Sequence, residues 1–446
     1  MSEWLAMTAA ALGRGIGAGE IDPRALAEAH LDAIAAHPEA ERVYARVTPA
    51  RARAEAAAAA ERARLGVRRG PLDGVPISLK DLFDTAGVET EAGSRLLAGR
   101  TPDRDAPCVA RLSAAGMVCL GKTHMSELAF SGLGYNPMTQ TSPNPFGADW
   151  APGGSSSGAA ASVSLGLAAM GLGSDTGGSV RIPAAWHGLV GLKTTWGLIP
   201  NDDVVPLSPS LDTVGPLCRS VEDAGLTLAA LTGRTAPDLN GASLNGLSFL
   251  IPTTVVLDDL DPEQTAAFEA AVEALTAAGA KATRAPVPEF AEAMETGGRL
   301  GAIVNTEGYA CWGETIEARP DDIFPMIRER FRAGRTFRSD QAEAARMAFR
   351  ALAARFLQRL APFDAALCPT TPNLPPSVAR LAADEDYYTA QNLLALRNTR
   401  LGNLFGLSSL TLPTGRPACG VMFTGRPHDE ARLLRIGSAA EAALAG

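Results

Sequence analysis

The stretches GGSSSG (153–158) and GSDTGGSVR (173–181) set serines beside paired glycines. A hydroxyl that follows Gly177 and Gly178 sits where the backbone can turn sharply and aim several N–H groups at one point. Converging N–H groups stabilise the oxyanion that develops when a serine attacks a carbonyl, which makes Ser179 a candidate nucleophile. The same geometry would hold a phosphate, yet neither GxxxxGKS/T nor GxGxxG occurs in the stretch, and nucleotide binding is the weaker reading. Gly and Ser tracts also serve as flexible spacers. Here the cluster runs directly into AAASVSLGLAAMGLGSD, whose small and apolar residues suit a buried helix and then a strand, so a folded turn is expected.

A serine nucleophile needs a base, usually histidine. Of the five histidines, His30 and His37 fall in an N-terminal helical region and His428 in a polar turn. His124 with Glu127 offers too few ligands for a metal. His187 is near Ser179 in sequence, although packing is the better reading. Lysine serves equally well if burial lowers its pKa enough to supply a neutral amine. Lys80 ends the apolar run VPISLKD, an unusual place for a solvated charge, and an ion pair with Asp81 or Asp84 is its structural alternative. The residues alone leave that choice open.

These groups need elements to position them. Asp22 and Pro23 start a helix, and a second is expected over 48–65. Val75–Leu79 reads as a buried strand ending at Lys80, and 105–121 as a helix followed by a strand. Residues 245–290 give strand, loop, a helix opened by Asp261 and Pro262, and strand; 295–362 is helical and charged. FDAALCPTTPNLPP and LSSLTLPTG look like strands entering Pro-rich loops. The alternation predicts an α/β chain with a partly parallel sheet under helices, and 232–245 is a short loop between two halves of one compact domain.

With 446 residues the chain can bury a large core, and its formal charge of −9 disfavours a general affinity for nucleic acid. Six cysteines without a CxxC spacing suggest free thiols in a reducing compartment. The first residues lack the basic region of a signal peptide, and no apolar stretch reaches the length of a membrane span, so a cytoplasmic location is expected.

Taken together, GVPISLKD, APGGSSSGAAA and GLGSDTGGSVRIPAAWHGLVGLKTTWG closely resemble the motifs of the amidase signature family, and GKTHMSELAF, GPLCRSVEDA and the PTTP region extend the resemblance over most of the chain. It implies a large twisted mixed β-sheet covered by helices on both faces, forming a single domain over 1–446 with a helical peripheral region at about 295–362. It also implies a catalytic Lys80, a bridging Ser155 held after a cis peptide bond, and a nucleophilic Ser179. The oxyanion hole falls on the backbone N–H groups of Thr176, Gly177, Gly178 and Ser179, and substrate contact on Ala129, Phe130, Ser131 and Gly132. Asp175 and Arg181 are expected to brace the turn, and Ser156 and Ser157 the loop. No metal or cofactor is required. The implied partner is a small-molecule amide rather than nucleic acid or membrane, and a homodimer is compatible with it. The resemblance implies a stand-alone amidase acting through an acyl-enzyme. The runner-up is the glutaminase component of a tRNA-dependent amidotransferase, disfavoured because SDQAEAARMAFRALAARF lacks a good match to the glutamine-binding stretch; a non-catalytic binding protein ranks below both.

Overall fold

The computed structural model describes residues 2–337 and 339–445. Eleven strands form one mixed sheet: β1 Tyr44–Val47, β2 Pro76–Lys80, β3 Val118–Thr123, β4 Met170–Asp175, β5 Val190–Lys193, β6 Thr213–Cys218, β7 Ser248–Pro252, β8 Lys281–Ala285, β9 Ala365–Pro369, β10 Ser409–Pro413 and β11 Gly420–Thr424. Their order is β1-β3-β2-β4-β6-β5-β10-β11-β9-β7-β8. Parallel pairs lie at two places, β3–β2–β4 and β9–β7–β8, and antiparallel pairs join them through β6, β5, β10 and β11. The sheet is therefore continuous through both halves of the chain, and the 232–245 loop interrupts no pairing within it.

Strands β2, β3 and β4 are buried along their whole length, as expected of parallel strands covered on both faces. Their carboxyl ends lie together, with Leu79 opposite Leu172 and Lys80 opposite Thr123. In open α/β sheets that end is where ligands gather. The small residues of the central stretch allow this packing. The helix Ser157–Ser164 runs through the protein interior, and a Cβ on its Gly158 would lie 2.6 Å from the His124 carbonyl oxygen and 2.7 Å from that of Val43. A larger side chain there would force helix and strand apart.

The expected helices at 48–65 and after Asp22 are present as Pro49–Arg64 and Pro23–Ala36, the latter capped by Asp22 accepting from the Arg24 N–H. The helical region after 285 is built as Pro288–Leu300, Ile303–Ala318, Pro325–Arg332 and Ser339–Leu360. Phe290, Ile303, Phe349 and Phe356 from these helices pack with Leu250, Ala366 and Met422 from the sheet in a second apolar cluster. No helix among the described residues is long and apolar enough to cross a membrane.

Candidate active site

Lys80 is fully buried at the end of β2, and its Nζ donates to Ser155 Oγ at 2.7 Å and Ser174 Oγ at 2.8 Å. The two acids next to it in sequence are engaged elsewhere: Asp81 lies 3.4 Å from Lys122 Nζ, and Asp84 makes a forked pair with Arg100 at 2.7 and 2.6 Å. The ion-pair alternative for Lys80 is thus removed. Burial draws its ammonium down to about 7, while the more distant charges of Asp175 and Asp212 act the other way. An amine in that range is half neutral near pH 7, which an exposed lysine is not.

Ser155 is fixed by its loop. The peptide bond before it is cis. Gly153 N–H donates to the Leu133 carbonyl at 3.0 Å, Gly154 N–H to that of Gly132 at 2.8 Å, and Ser126 N–H to that of Ser155 at 3.1 Å. Ser156 N–H donates to the Ser179 carbonyl at 3.2 Å, which ties this loop to the second serine turn. Ser156 Oγ donates to the Ser174 carbonyl, and Ser142 Oγ donates to Ser157 Oγ, so both neighbours brace the loop. Among the described residues no hydrogen bond joins Ser155 Oγ to Ser179 Oγ.

The turn between β4 and the helix Arg181–Trp186 is organised by the Asp175 carboxylate. It accepts from Gly178 N–H at 2.9 Å, Val180 N–H at 3.1 Å, Arg181 Nε and Nη2 at 3.0 and 2.9 Å, and Asn403 Nδ2 at 2.9 Å. Burial alone would push this carboxyl up, but Arg181, Lys193 and Asn403 hold it well below the usual carboxylate range. Gly178 adopts φ +139°, and a Cβ there would fall 2.2 Å from Thr399 Oγ1. Of the four N–H groups expected in an oxyanion hole, that of Gly178 is therefore already spent on Asp175. Those of Thr176, Gly177 and Ser179 have no hydrogen-bond partner among the described residues.

A cavity of about 260 Å³ reaches this turn through Thr176 and Gly177. Its walls come from parts of the chain distant in sequence, 293–305 and 393–404, with Leu211, Phe349 and two arginines, Arg330 and Arg400. Ala129, Phe130, Ser131 and Gly132 do not line it. They stand behind the Ser155 loop: Ser126 Oγ donates to the Ser131 carbonyl, Tyr388 OH to Ser131 Oγ, and Gly132 N–H to Asn392 Oδ1 at 2.8 Å. Phe130 touches the cavity wall through Arg330, whose Nη1 donates to the Phe130 carbonyl while its guanidinium lies 4.1 Å from the ring centre.

Two residues of the site escape sequence reasoning. Ser174, the second acceptor of Lys80, carries the alternation signal of a strand residue and nothing more. Asp212 arrives from the loop before β6 and accepts from Thr176 Oγ1 at 2.5 Å and from the N–H groups of Leu207 and Ser208. Burial raises its carboxyl to about 6. His187 is buried between the carbonyls of Pro183 and Pro143, away from Ser179 Oγ, and Glu127 accepts from Ser94 and from Phe324 N–H. No cluster of three or more potential metal ligands occurs among the described residues.

The structure thus brings together, at the carboxyl ends of strands in a mixed sheet, a lysine buried between serine hydroxyls and a turn whose Thr176, Gly177 and Ser179 N–H groups are unpartnered among the described residues. The Amidase family profile matches residues 25–434, and the chain belongs to that family, the amidase signature enzymes, which hydrolyse carbon–nitrogen amide bonds. It is 38% identical to 2-amino-5-chloromuconic acid deaminase of Comamonas testosteroni, over 89% of this chain and 87% of that protein. Identity to the A-type subunit of glutamyl-tRNA(Gln) amidotransferase from Chloroflexus aggregans is 33%, over 98% of this chain and 96% of that one. Among solved structures, that of an amidase superposes with a TM-score of 0.87 at 30% identity, covering 98% and 99% of the two chains.

Proposed function

We propose that the chain, read as one amidase domain over 1–446 with the helices at about 295–362 as a peripheral layer, hydrolyses small or medium carboxylic amides in the cytoplasm. Ser179 Oγ attacks the amide carbonyl carbon as its proton passes to Ser155 Oγ and the Ser155 proton passes to neutral Lys80 Nζ. The oxyanion is met by the free N–H groups of Thr176, Gly177 and Ser179, while Gly178 keeps the turn in shape through Asp175. The proton returns through Ser155 to the leaving nitrogen, the C–N bond breaks, and ammonia or an amine departs. Water then cleaves the Ser179 ester by the same relay in reverse. Ser179 Oγ must rotate toward Ser155 for the first transfer, a motion that substrate binding would select.

The observation that carries this reading is the 2.7 Å contact between a buried Lys80 amine and Ser155, with no carboxylate paired to it. A fluorophosphonate should label wild-type protein on Ser179 and leave Ser179→Ala unlabelled, and Lys80→Ala should slow labelling and ammonia release by more than about 1,000-fold, the scale on which base removal acts. Unimpaired rates in either variant sink the assignment.

The second reading, a glutaminase component of an amidotransferase, is favoured by the full-length similarity to the Chloroflexus protein. Turnover of non-glutamine amides by the purified chain alone excludes it.

A further inference from the structure

The cavity that meets Thr176 and Gly177 is apolar over most of its wall, with Leu211, Met294, Ile303, Val304, Phe349 and Leu396. Among the described residues the charged side chains that line it are Arg330 and Arg400, with no Asp or Glu. Many arginines elsewhere are paired with acids, such as Arg51 with Asp105, Arg62 with Asp73 and Arg181 with Asp175, while Arg219 is satisfied by five main-chain carbonyls. Arg400 donates only to main-chain carbonyls, Nε to Leu396 at 3.1 Å and Nη2 to Leu393 at 2.7 Å. Arg330 has only the Phe130 carbonyl and ring. A guanidinium carries five N–H donors, so both side chains keep donors unmade.

Two cations sharing an apolar cavity are unfavourable unless an anion joins them. Burial pulls each down to about 10, and for Arg400 the neighbouring charges of Arg330 and Arg397 add to it; both remain cationic at neutral pH. Phe130 explains the place of Arg330, but among the described residues no acidic side chain pairs with Arg400. We infer that the substrate is an amide whose other end is a carboxylate, bound by Arg330 and Arg400 with its carbon chain along the apolar wall. A planar guanidinium matches carboxylate geometry. With no acidic side chain lining the cavity, the ligand's cationic groups find no counterpart, so an ω-amido carboxylate without an ammonium fits better than an α-amino acid amide such as glutamine.

The inference rests on the amidase reading, and its test separates the two. Ammonia release is measured for succinamic, glutaramic and adipamic acids against butanamide, pentanamide and hexanamide, in wild type, Arg400→Gln and Arg330→Gln. In wild type the best acid should exceed its neutral counterpart in kcat/KM by about 10- to 100-fold, the range of a charge-assisted hydrogen bond. Arg400→Gln should shrink that ratio at least tenfold, mainly through KM. Arg400 supports only nearby carbonyls of its own segment, which keeps this variant informative if Arg330→Gln misfolds through loss of its Phe130 contacts. Glutarate should also slow fluorophosphonate labelling of Ser179 in wild type and not in Arg400→Gln, with 1,5-pentanediol as the neutral control. Labelling without acid preference or glutarate protection overturns this inference and leaves the amidase reading standing. No labelling, with glutarate binding by calorimetry that Arg400→Gln abolishes, overturns the amidase reading and leaves the anion site standing.

Discussion

The pH dependence of acylation measures directly what burial does to Lys80. An ordinary lysine has a pKa of 10.5, and this one is drawn to about 7. At pH 7 the neutral fraction is then about one half, against about one in 3,000 for an unperturbed lysine. The rate of fluorophosphonate labelling of Ser179 should therefore follow an acid limb with its midpoint near 7, falling about tenfold per unit below pH 6. Labelling is the better assay because the probe does not titrate in this range. Asp212 supplies a control: its charge opposes the lowering, so Asp212→Asn should move the midpoint to lower pH. A midpoint at or above 9, or a rate flat from pH 5 to 9, refutes the reasoning.

The same shift appears in stability with a definite sign. Between the folded value near 7 and the unfolded value of 10.5, the unfolded chain binds the extra proton, so this group makes stability rise with pH across that window. Below pH 7 the full penalty applies, on the order of 5 kcal/mol for a shift of this size. Lys80→Met removes it, at the cost of the two serine contacts. The difference in unfolding free energy between Lys80→Met and wild type should therefore move against the variant by several kcal/mol from pH 6 to pH 10. Urea titrations at both ends test this, and a difference independent of pH would place the charged lysine at no disadvantage in the fold.

Two further variants address the turn. Gly178→Ala would set a Cβ 2.2 Å from Thr399 Oγ1 at φ +139°, whereas a Cβ on Gly177 meets nothing nearer than Leu396 Cδ2 at 3.5 Å. Gly178→Ala should lower stability by about 1–3 kcal/mol and nearly abolish labelling, with Gly177→Ala clearly milder in thermal melts; equal effects would show that the turn relaxes freely. Asp175→Asn breaks a fully buried pair with Arg181 and should lower unfolding free energy by about 3–5 kcal/mol at pH 7. Because the Asp175 pKa is held down, the wild-type advantage is full above the ordinary carboxylate value of 3.8 and is lost only as pH falls below it; a loss already complete at pH 5 contradicts the geometry.

What the sequence exposes is the part of the site written in short, contiguous signals. The apolar run closed by Lys80, the helix-then-strand reading of 159–175 and the Gly-rich turns at Ser155 and Ser179 are all local, and the structure builds them where those signals lie. Its fourth expected N–H group, that of Gly178, is diverted because Asp175, three residues away, reaches it at 2.9 Å. The cavity is another matter. Its wall joins residues near 300 to residues near 400 and to the turn at 176–177, and only the crossing order of the sheet brings them together. The stretch 129–132 illustrates the difference: Gly132 accepts from Gly154 of the Ser155 loop, and Ser131 and Gly132 bond Tyr388 and Asn392 some 260 positions away, contacts that no local signal announces.

One compositional feature connects sequence to mechanism. Among 40 lysines and arginines only four are lysine, namely Lys80, Lys122, Lys193 and Lys281, and the first three are buried. A guanidinium stays protonated in proteins, so a buried position that must present a neutral amine has to be lysine. Burial alone does not select the base. Lys193 is also drawn to about 7, but its Nζ donates to the carbonyls of Thr194 and Leu407, which have no proton to pass on. Lys122 Nζ donates to the Thr90 hydroxyl at 2.6 Å, and burial lowers its pKa, but the Asp81 carboxylate 3.4 Å away works the other way and favours its charged form. Lys80 alone of the three combines hydroxyl partners with the absence of a paired carboxylate, and a hydroxyl can give up one proton as it receives another. The proposed base is thus set apart by hydroxyl partners without a carboxylate rather than by its pKa, and exchanging that surrounding tests the point. Ser155→Ala should lower labelling of Ser179 by more than about 100-fold while leaving Lys80 buried, whereas Ser174→Ala, which removes only the second acceptor, should cost about tenfold or less. Equal losses in the two variants would mean that Ser155 positions the amine without relaying its proton.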